Sequence, residues 1–583
     1  MRYNKEIFDK EVAYYKKALG KEKAKNIFVC GKINRDAFFS FAPFSRAASE
    51  LKMDMHVSMG YKNKGYEVLF DVWKTYENLL AKKSGAAEKA LREVFDKANI
   101  KGLEKFFEKP DLILKVGAKG FEGDLKLAYK TKWFRPFMAV KLKKTTDAVV
   151  ENVFAIKKSE KFGIGFELIR EKEFLAHPLQ DYMDSYAIAY DMFLSSKFCR
   201  SISIKASTPR SGLRDVPEKV SELSTTLLGL ELSKDIKLPV FKAYKKLSKA
   251  LRLDRIKTNE ASFFISGKGY HGKHLFGEMI GYPSPDLKTK WNSPGGIIYK
   301  FHWYPQAMVD PRPPRTRLAF TSTVPIDIFV DSTLVDYKKM RARNREIAAI
   351  MEKCEKIVVR SNIKNGCDFE VGLVKKDGTR RLIMDSDSDA RYIIEPQILK
   401  IMKKKTGMMA NIPGGEAFTT PTYVIGRIVG DVIINVDRSY RLDKDNLFIV
   451  EAEKNGYKLI SAPKIVGDAF RKRKRDAWKT ILEQEKNKSL DKEIIELKKR
   501  NFNHVGEFAI NTSPSARLCD YLIVNEKIAN MIHVAFGSGF EVDAATEYHM
   551  DVVIDSPRQK LDIYGVDKKK NRHWIIKSGA FVL

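Results

Sequence analysis

Four short segments toward the carboxy-terminal end constrain the fold more than any other feature of the chain. GGEAFTTP around Glu416, VGEFAI around Glu507, MIHVAFG around His533 and EYHMD with His549 and Asp551 each set a carboxylate or an imidazole into an apolar run bounded by Gly, Pro or Asn. Such runs read as strands, in which residues two apart share a face. His549 and Asp551 then share one face, with Tyr548 and Met550 on the other. Glu507 lies with Val505 and Ala509, leaving Phe508 and Ile510 for a core, and His533 lies with Met531 and Ala535, away from Ile532, Val534 and Phe536. The pattern predicts a sheet that is apolar on one face and carries a polar cluster on the other, with Ala509 and Ala535 leaving room beside it.

Carboxylate oxygens and neutral imidazole nitrogens suit zinc, cobalt or manganese. Two such ions held close together can turn a water into hydroxide while polarising a carbonyl, so hydrolysis is the chemistry expected. Each segment alone says little, because a strand histidine is usually a hydrogen-bonded core residue. The weight comes from co-occurrence: four of the nine histidines, His504, His533, His549 and His573, fall within one carboxy-terminal region. His504 and His573 sit among polar residues and are expected at the surface.

The order of these segments resembles the aminopeptidase T family of thermophilic metallo-aminopeptidases, in its leucyl aminopeptidase-like branch. NIPGGEAFTTP is similar to the family's first glutamate segment, GEFAINTSP to its Gly-Glu and apolar run, HVAFG to its H-x-A-x-G, and HMD to its closing H-x-D. The resemblance covers positions 405–583 and implies metal ligands at Glu416, Glu507, His533, His549 and Asp551. It further implies two divalent ions as cofactors, Glu507 as general base, and removal of amino-terminal residues from peptides. Three departures stand out. Gly414 and Gly415 replace the Thr-containing turn of the family, which should loosen it. Phe540 stands where the best-known branch has a tyrosine that steadies the tetrahedral intermediate. The interval from His533 to His549, sixteen residues, is that of the leucyl aminopeptidase-like branch.

The same fold family includes ring-opening dioxygenases that hold one iron(II) through two histidines and an aspartate, a set that His533, His549 and Asp551 could supply. Such an enzyme has no need of both Glu416 and Glu507, whereas a dimetal hydrolase needs extra carboxylates against four positive charges. The two glutamates favour hydrolysis. A non-catalytic binding relative that keeps the fold is the remaining reading.

The chain has 583 residues, 44% hydrophobic and 11% aromatic, enough for two or three packed units. No apolar run approaches a membrane span and MRYNKEIFDKEV lacks the core of a secretory signal, so the cytoplasm is the expected location and no membrane partner is expected. Five scattered cysteines without a CxxC pair indicate neither a disulfide framework nor a zinc–thiolate site. The net charge of +32 invites a nucleic-acid reading, but the lysines are spread along the whole chain. The densest group, RKRKRDAW from Arg471, opens a helical stretch through LEQEKNKSLDKEIIELKKR, whose later half alternates in sign as a solvated face does. A peptide substrate, a homodimer and no specific nucleic acid are the partners expected.

Before position 400 strand-like and helix-like stretches alternate. NIFVCGKI, DMHVSMG, FMAVKL, ENVFAIKK and FGIGFELI read as strands; FSFAPFSRAASELKM, EVLFDVWKTYENLLAKK and YKKMRARNREIAAIMEKCEK read as helices; KIVVRS and CDFEVGLV read as strands again. The expected fold class is α/β, with a Rossmann-like amino-terminal lobe over 1–400 and a mixed α/β metal-binding lobe over 401–583. A long irregular stretch at 260–316 contains His271, His274 and His302 in a setting rich in Gly and Pro, and is read as a loop facing substrate or covering a sheet edge. Its GKGYHG is not a phosphate loop, and the chain lacks GxSxG, so nucleophilic serine chemistry has no anchor.

Overall fold

The computed structural model describes residues 3–61, 111–117, 120–122, 137–168, 179–207, 261–266, 317–385, 388–390, 409–454, 456–487, 492–539, 542–544 and 546–583. The fold is mixed α/β, with a largely parallel sheet built mainly from the amino-terminal part and two antiparallel sheets beyond it.

In the nine-stranded sheet, Asn26–Lys32 pairs in parallel with both Asp54–Tyr61 and Leu112–Gly117. Lys161–Glu167, Ser201–Ser207, Ala261–Ser266, Arg317–Ser322 and Met409–Asn411 form a second parallel block. The blocks meet where Asp54–Tyr61 runs antiparallel to Ser201–Ser207, so the sheet is not the all-parallel sheet that a Rossmann-like lobe leads one to expect. Helices Lys5–Leu19 and Arg35–Glu50 pack on each other, each started by an asparagine, Asn4 or Asn34, whose side chain accepts backbone N–H bonds of the first turn. Phe38, Phe41 and Phe44 fill the interior behind the sheet.

An eight-stranded antiparallel sheet is centred on Cys354–Ser361, Asp368–Gly372, Val424–Gly430 and Leu561–Asp567. A seven-stranded antiparallel sheet runs Ile383–Met384, Glu416–Thr419, Val505–Asn511, Met531–Gly537, His549–Asp555, Ile433–Asn435, Ser439–Arg441. One core lies between these two sheets: Phe369, Val424 and Phe448 from the first meet Phe508, Val534, Phe536, Tyr548, Met550 and Val552 from the second. On the opposite face of the seven-stranded sheet, Phe418 and Ala509 belong instead to the core shared with the amino-terminal part.

Several sequence expectations change. FMAVKL and ENVFAIKK are not strands but lie along a helix, Ala139–Ala148, which passes into a wider helical turn at Val149–Phe154. Leu142, Thr145, Thr146, Val149, Val150 and Val153 are buried at helical spacing, a period that a short apolar window hides. ASFFIS is a central strand of the parallel sheet and not part of a loop; the remainder of the 260–316 stretch, with its three histidines, and the helix expected at EVLFDVWKTYENLLAKK lie outside the described residues. The RKRKR run does not open its helix but lies inside it, Lys464–Lys486, and a second helix, Lys492–Arg500, follows. Within the basic run, Lys474 turns inward over the rings of Tyr457, Phe470 and Phe502, where burial brings its pKa down to about 8. No described helix is long and apolar enough to cross a membrane.

Glu11 is fully buried in the first helix, with neither carboxyl oxygen hydrogen-bonded among the described residues, and burial pushes its pKa up to about 8. The folded chain therefore holds a proton there that the unfolded chain releases near pH 4.5, so this site's contribution to stability is greatest in acid and falls as pH rises toward 8. Each tenfold change in proton affinity corresponds to about 1.4 kcal/mol. Glu11→Gln is expected to flatten this part of the profile and to gain stability over the native chain at pH 8.5 relative to pH 5. Parallel denaturation curves for the two proteins would contradict this.

Candidate metal centre

Register brings the polar residues together. Glu416 pairs with Asn511, Ala509 with His533, Ala535 with both Glu507 and Asp551 on its two sides, and Gly537 with His549. Because all of these positions have the same parity along antiparallel neighbours, all five predicted ligands emerge on one face of four adjacent strands. Ala535 leaves the space across which Glu507 and Asp551 approach each other, and Ala509 leaves space beside His533. Gly537 is required by its backbone, with φ at +99°, and a Cβ there would lie 2.3 Å from the Tyr548 carbonyl oxygen.

The turn that delivers Glu416 is tight. A Cβ on Gly414 would lie 2.7 Å from that of Ser388, and one on Gly415, whose φ is +129°, would lie 2.8 Å from the Met340 sulfur. The paired glycines therefore fix the approach of Glu416 where the sequence suggested a loosened turn.

The ligand atoms converge. His533 Nε2 lies 3.1 Å from Glu507 Oε1 and 3.6 Å from Glu416 Oε2; His549 Nε2 lies 3.0 Å from Asp551 Oδ1 and 4.0 Å from Glu507 Oε2. Glu416, His533 and Asp551 are buried, and Glu507 and His549 retain partial exposure. Two groups each offer three ligand atoms mutually within 4.8 Å, Glu416–Glu507–His533 and Glu507–His549–Asp551. A third group, Glu526–His533–Asp551, adds a residue that the sequence reading missed. No three-residue group among the described residues contains both histidines.

The far nitrogen of each imidazole is held. His533 Nδ1 lies 2.8 Å from the Asn511 side-chain oxygen and His549 Nδ1 lies 2.7 Å from the Ser538 carbonyl. Both oxygens are acceptors, so each Nδ1 donates and each Nε2 is left facing carboxylates. That edge needs a cation, either a proton or a metal ion. Burial alone would pull the His533 pKa down, but its hydrogen bond to Glu507 and the charges of Glu416 and Glu507 raise it to about 9. For His549 the same opposition, with Asp551 the main partner, gives about 10. Glu526 is pushed up, chiefly by burial, with Lys527 acting against the shift. Lys527 is itself buried, its Nζ 2.6 Å from Glu416 Oε1 and 3.4 Å from Glu526 Oε1.

Glu526 and Lys527 follow the short helix Leu522–Asn525. Their only sequence signal is an acid–base pair within the otherwise apolar YLIVNEKIANMI, a few residues before His533. His504 and His573, expected at the surface, are both half-buried, and His573 pairs with Asp567 at 3.0 Å. Phe540 lies outside the described residues. The backbone N–H groups of Gly537, Ser538 and Gly539 are bonded to the carbonyls of His504, Tyr548 and Ala544, and the Tyr548 hydroxyl is on the opposite face with Tyr457 and Phe502.

No protein-family model and no curated protein matches the chain. Among solved structures it is similar to wild-type AmpT from Thermus thermophilus, with 13% sequence identity and a TM-score of 0.42, over 77% of this chain and 100% of that chain.

Metal uptake at these imidazoles must displace protons below pH 9, so divalent-metal affinity is expected to rise from pH 6.5 to 8.5 with proton release on binding. Titration calorimetry in buffers of different ionisation enthalpy measures this; a heat independent of the buffer would contradict it. Asn511→Ala frees the His533 ring and is expected to weaken metal binding about 10- to 100-fold. An unchanged affinity in equilibrium dialysis would mean that Asn511 does not orient the ligand.

Proposed function

We propose that this protein is a dimetal aminopeptidase, cleaving amino-terminal residues from peptides. The observation that carries the reading is the sharing of Glu507 between two three-residue groups of mixed carboxylate and imidazole donors. One of its oxygens faces His533 and the other faces His549, which is how a carboxylate bridges two cations. The donor set fits zinc, cobalt or manganese, and in both imidazoles Nδ1 is already engaged by an acceptor, which leaves Nε2 as the nitrogen for ligation once its proton is displaced. Glu416 and His533 would complete one position and His549 and Asp551 the other. Bound there, the ions would supply a nucleophilic hydroxide at neutral pH and polarise the scissile carbonyl.

Within this reading the protein's own groups divide the remaining work. Glu507, which the family resemblance assigns as general base, has both oxygens directed at the two ligand positions and serves better as the bridge. Glu526 is a further carboxylate of the cluster whose proton affinity burial raises, and is suited to take up and return the proton that hydrolysis moves.

Metal analysis of protein purified without chelators, joined to a panel of aminoacyl substrates, tests the proposal. Two divalent ions per chain and release of amino-terminal residues are expected. A single tightly held iron, or no hydrolysis of any aminoacyl substrate by fully loaded protein, would overturn it. His549→Ala and Asp551→Ala should each lose metal and activity. Glu526→Gln should keep its metal and lose about 10²- to 10⁴-fold in kcat; loss of metal in that variant would make Glu526 a ligand and return the base to Glu507.

A further inference from the structure

We infer that the two metal positions load in a fixed order set by Lys527, a residue with no counterpart among the predicted ligands. The first ion is taken by Glu507–His549–Asp551 and held tightly; the second, at His533, is weaker and exchangeable because Lys527 occupies its outer carboxylates. The inference rests on the dimetal reading above and specifies how that site is regulated.

The three candidate groups cannot all be filled together. Glu416–Glu507–His533 and Glu526–His533–Asp551 both depend on His533 Nε2, and an imidazole whose Nδ1 is held by Asn511 can serve only one ion. Two pairings remain, and both contain the His549 group, joined to it through a carboxylate that can bridge: Glu507 in one pairing, Asp551 in the other. The His549 position is therefore common to every two-ion arrangement, while the His533 position has two alternative outer ligands, Glu416 and Glu526.

Lys527 contacts both of those alternatives. Its ammonium lies 2.6 Å from Glu416 Oε1 and 3.4 Å from Glu526 Oε1. Whichever outer carboxylate the His533 ion would use, that carboxylate already shares its charge with a fixed cation, and the incoming ion meets a like charge inside a buried cluster. Lys527 cannot swing away at little cost. It is 1% exposed at its side chain, and its backbone is clamped to the segment just beyond the strand that carries Glu507: the Ser513 N–H donates to the Lys527 carbonyl at 2.8 Å, and the Ala529 N–H to the Ser513 carbonyl at 3.0 Å. The ammonium thus acts as a built-in third cation that biases occupancy toward the His549 side.

Titration of metal-depleted protein with cobalt(II), followed by absorption spectroscopy and equilibrium dialysis, tests the order. The native chain should bind one ion at least about tenfold more tightly than a second. Lys527→Met, which keeps an unbranched apolar side chain and removes the charge, should strengthen the second ion and bring the two affinities closer together. Two ions of equal affinity in the native chain, or an unchanged ratio in folded Lys527→Met, would overturn the inference. Independently of that variant, His549→Ala should lose the tight ion and His533→Ala only the weak one; the reverse result would also overturn it. Failure of the native chain to bind cobalt at all would instead remove the dimetal reading and the inference with it, a result distinct from two equal sites.

Discussion

Everything at the candidate site depends on the register between Val505–Asn511, Met531–Gly537 and His549–Asp555. A strand has period two, so a slip of one residue would carry each ligand to the opposite face and bury it among aromatic rings. What opposes the slip is the packing on the other side. Phe508, Val534, Phe536, Tyr548, Met550 and Val552 all enter the inter-sheet core, and each fully buried apolar side chain of this size contributes about 1.5–3 kcal/mol. The functional face is specified by residues that never touch it. Gly537 reinforces the same choice, because its positive φ and the proximity of the Tyr548 carbonyl admit no other side chain at the point where His549 is paired.

Gathering four carboxylates, two imidazoles and an ammonium on one buried face is electrostatically costly unless positive charge accompanies them. In the chain alone, protons on His533 and His549 and the ammonium of Lys527 meet that need, which is why both imidazoles hold protons well above the ordinary range. Metal ions would enter positions that protons already mark. A site of this kind is therefore preorganised for cations without being filled by any particular one, and its selectivity rests on the mixture of oxygen and nitrogen donors. Glu507 occupies the middle of this arrangement, and Ala535 opposite it is what allows a second carboxylate, Asp551, to approach from the neighbouring strand.

How much of this the sequence conveys follows from the reach of each signal. The convergence of Glu416, Glu507, His533, His549 and Asp551 is legible because each sits in or beside a short strand whose alternation states which face it occupies, and the register of the pairing then brings the five positions together. The parallel sheet is legible in outline, but its antiparallel seam between Asp54–Tyr61 and Ser201–Ser207 is set by long-range pairing that leaves no local pattern. FMAVKL misleads because six residues cannot distinguish a strand from one turn of a helix whose buried positions continue to Val153. Glu526 and Lys527 are hidden for a different reason: in sequence they form an ordinary polar pair between apolar stretches, and only the turn after Leu522–Asn525 sends them into the cluster. Gly414 and Gly415 invite an opposite reading, since paired glycines suggest slack while here each is demanded by a neighbour's close approach.

The amino-terminal elements bear on the site through contacts that can be named. Thr512, directly after Asn511, donates its hydroxyl to Asn344 on the helix Tyr337–Lys353, and Met340 of the same helix lies against Gly415. Tyr521, at the start of the short helix leading to Glu526, donates to Asp181 on the helix Leu179–Ser195 of the parallel-sheet region. The first two contacts fall next to Asn511 and Glu416, and the third at the start of the segment that leads to Glu526. A shift of either helix would therefore be transmitted to the orienting partner of His533, to the turn behind Glu416, or to the segment that carries Glu526 and Lys527. None of the three contacts involves the His549–Asp555 strand, which pairs along its length with Met531–Gly537 and meets Ile433–Asn435 only at Val552 and Val553. The half of the cluster built from Glu416, His533 and Glu526 is thus the one joined by named contacts to the amino-terminal helices.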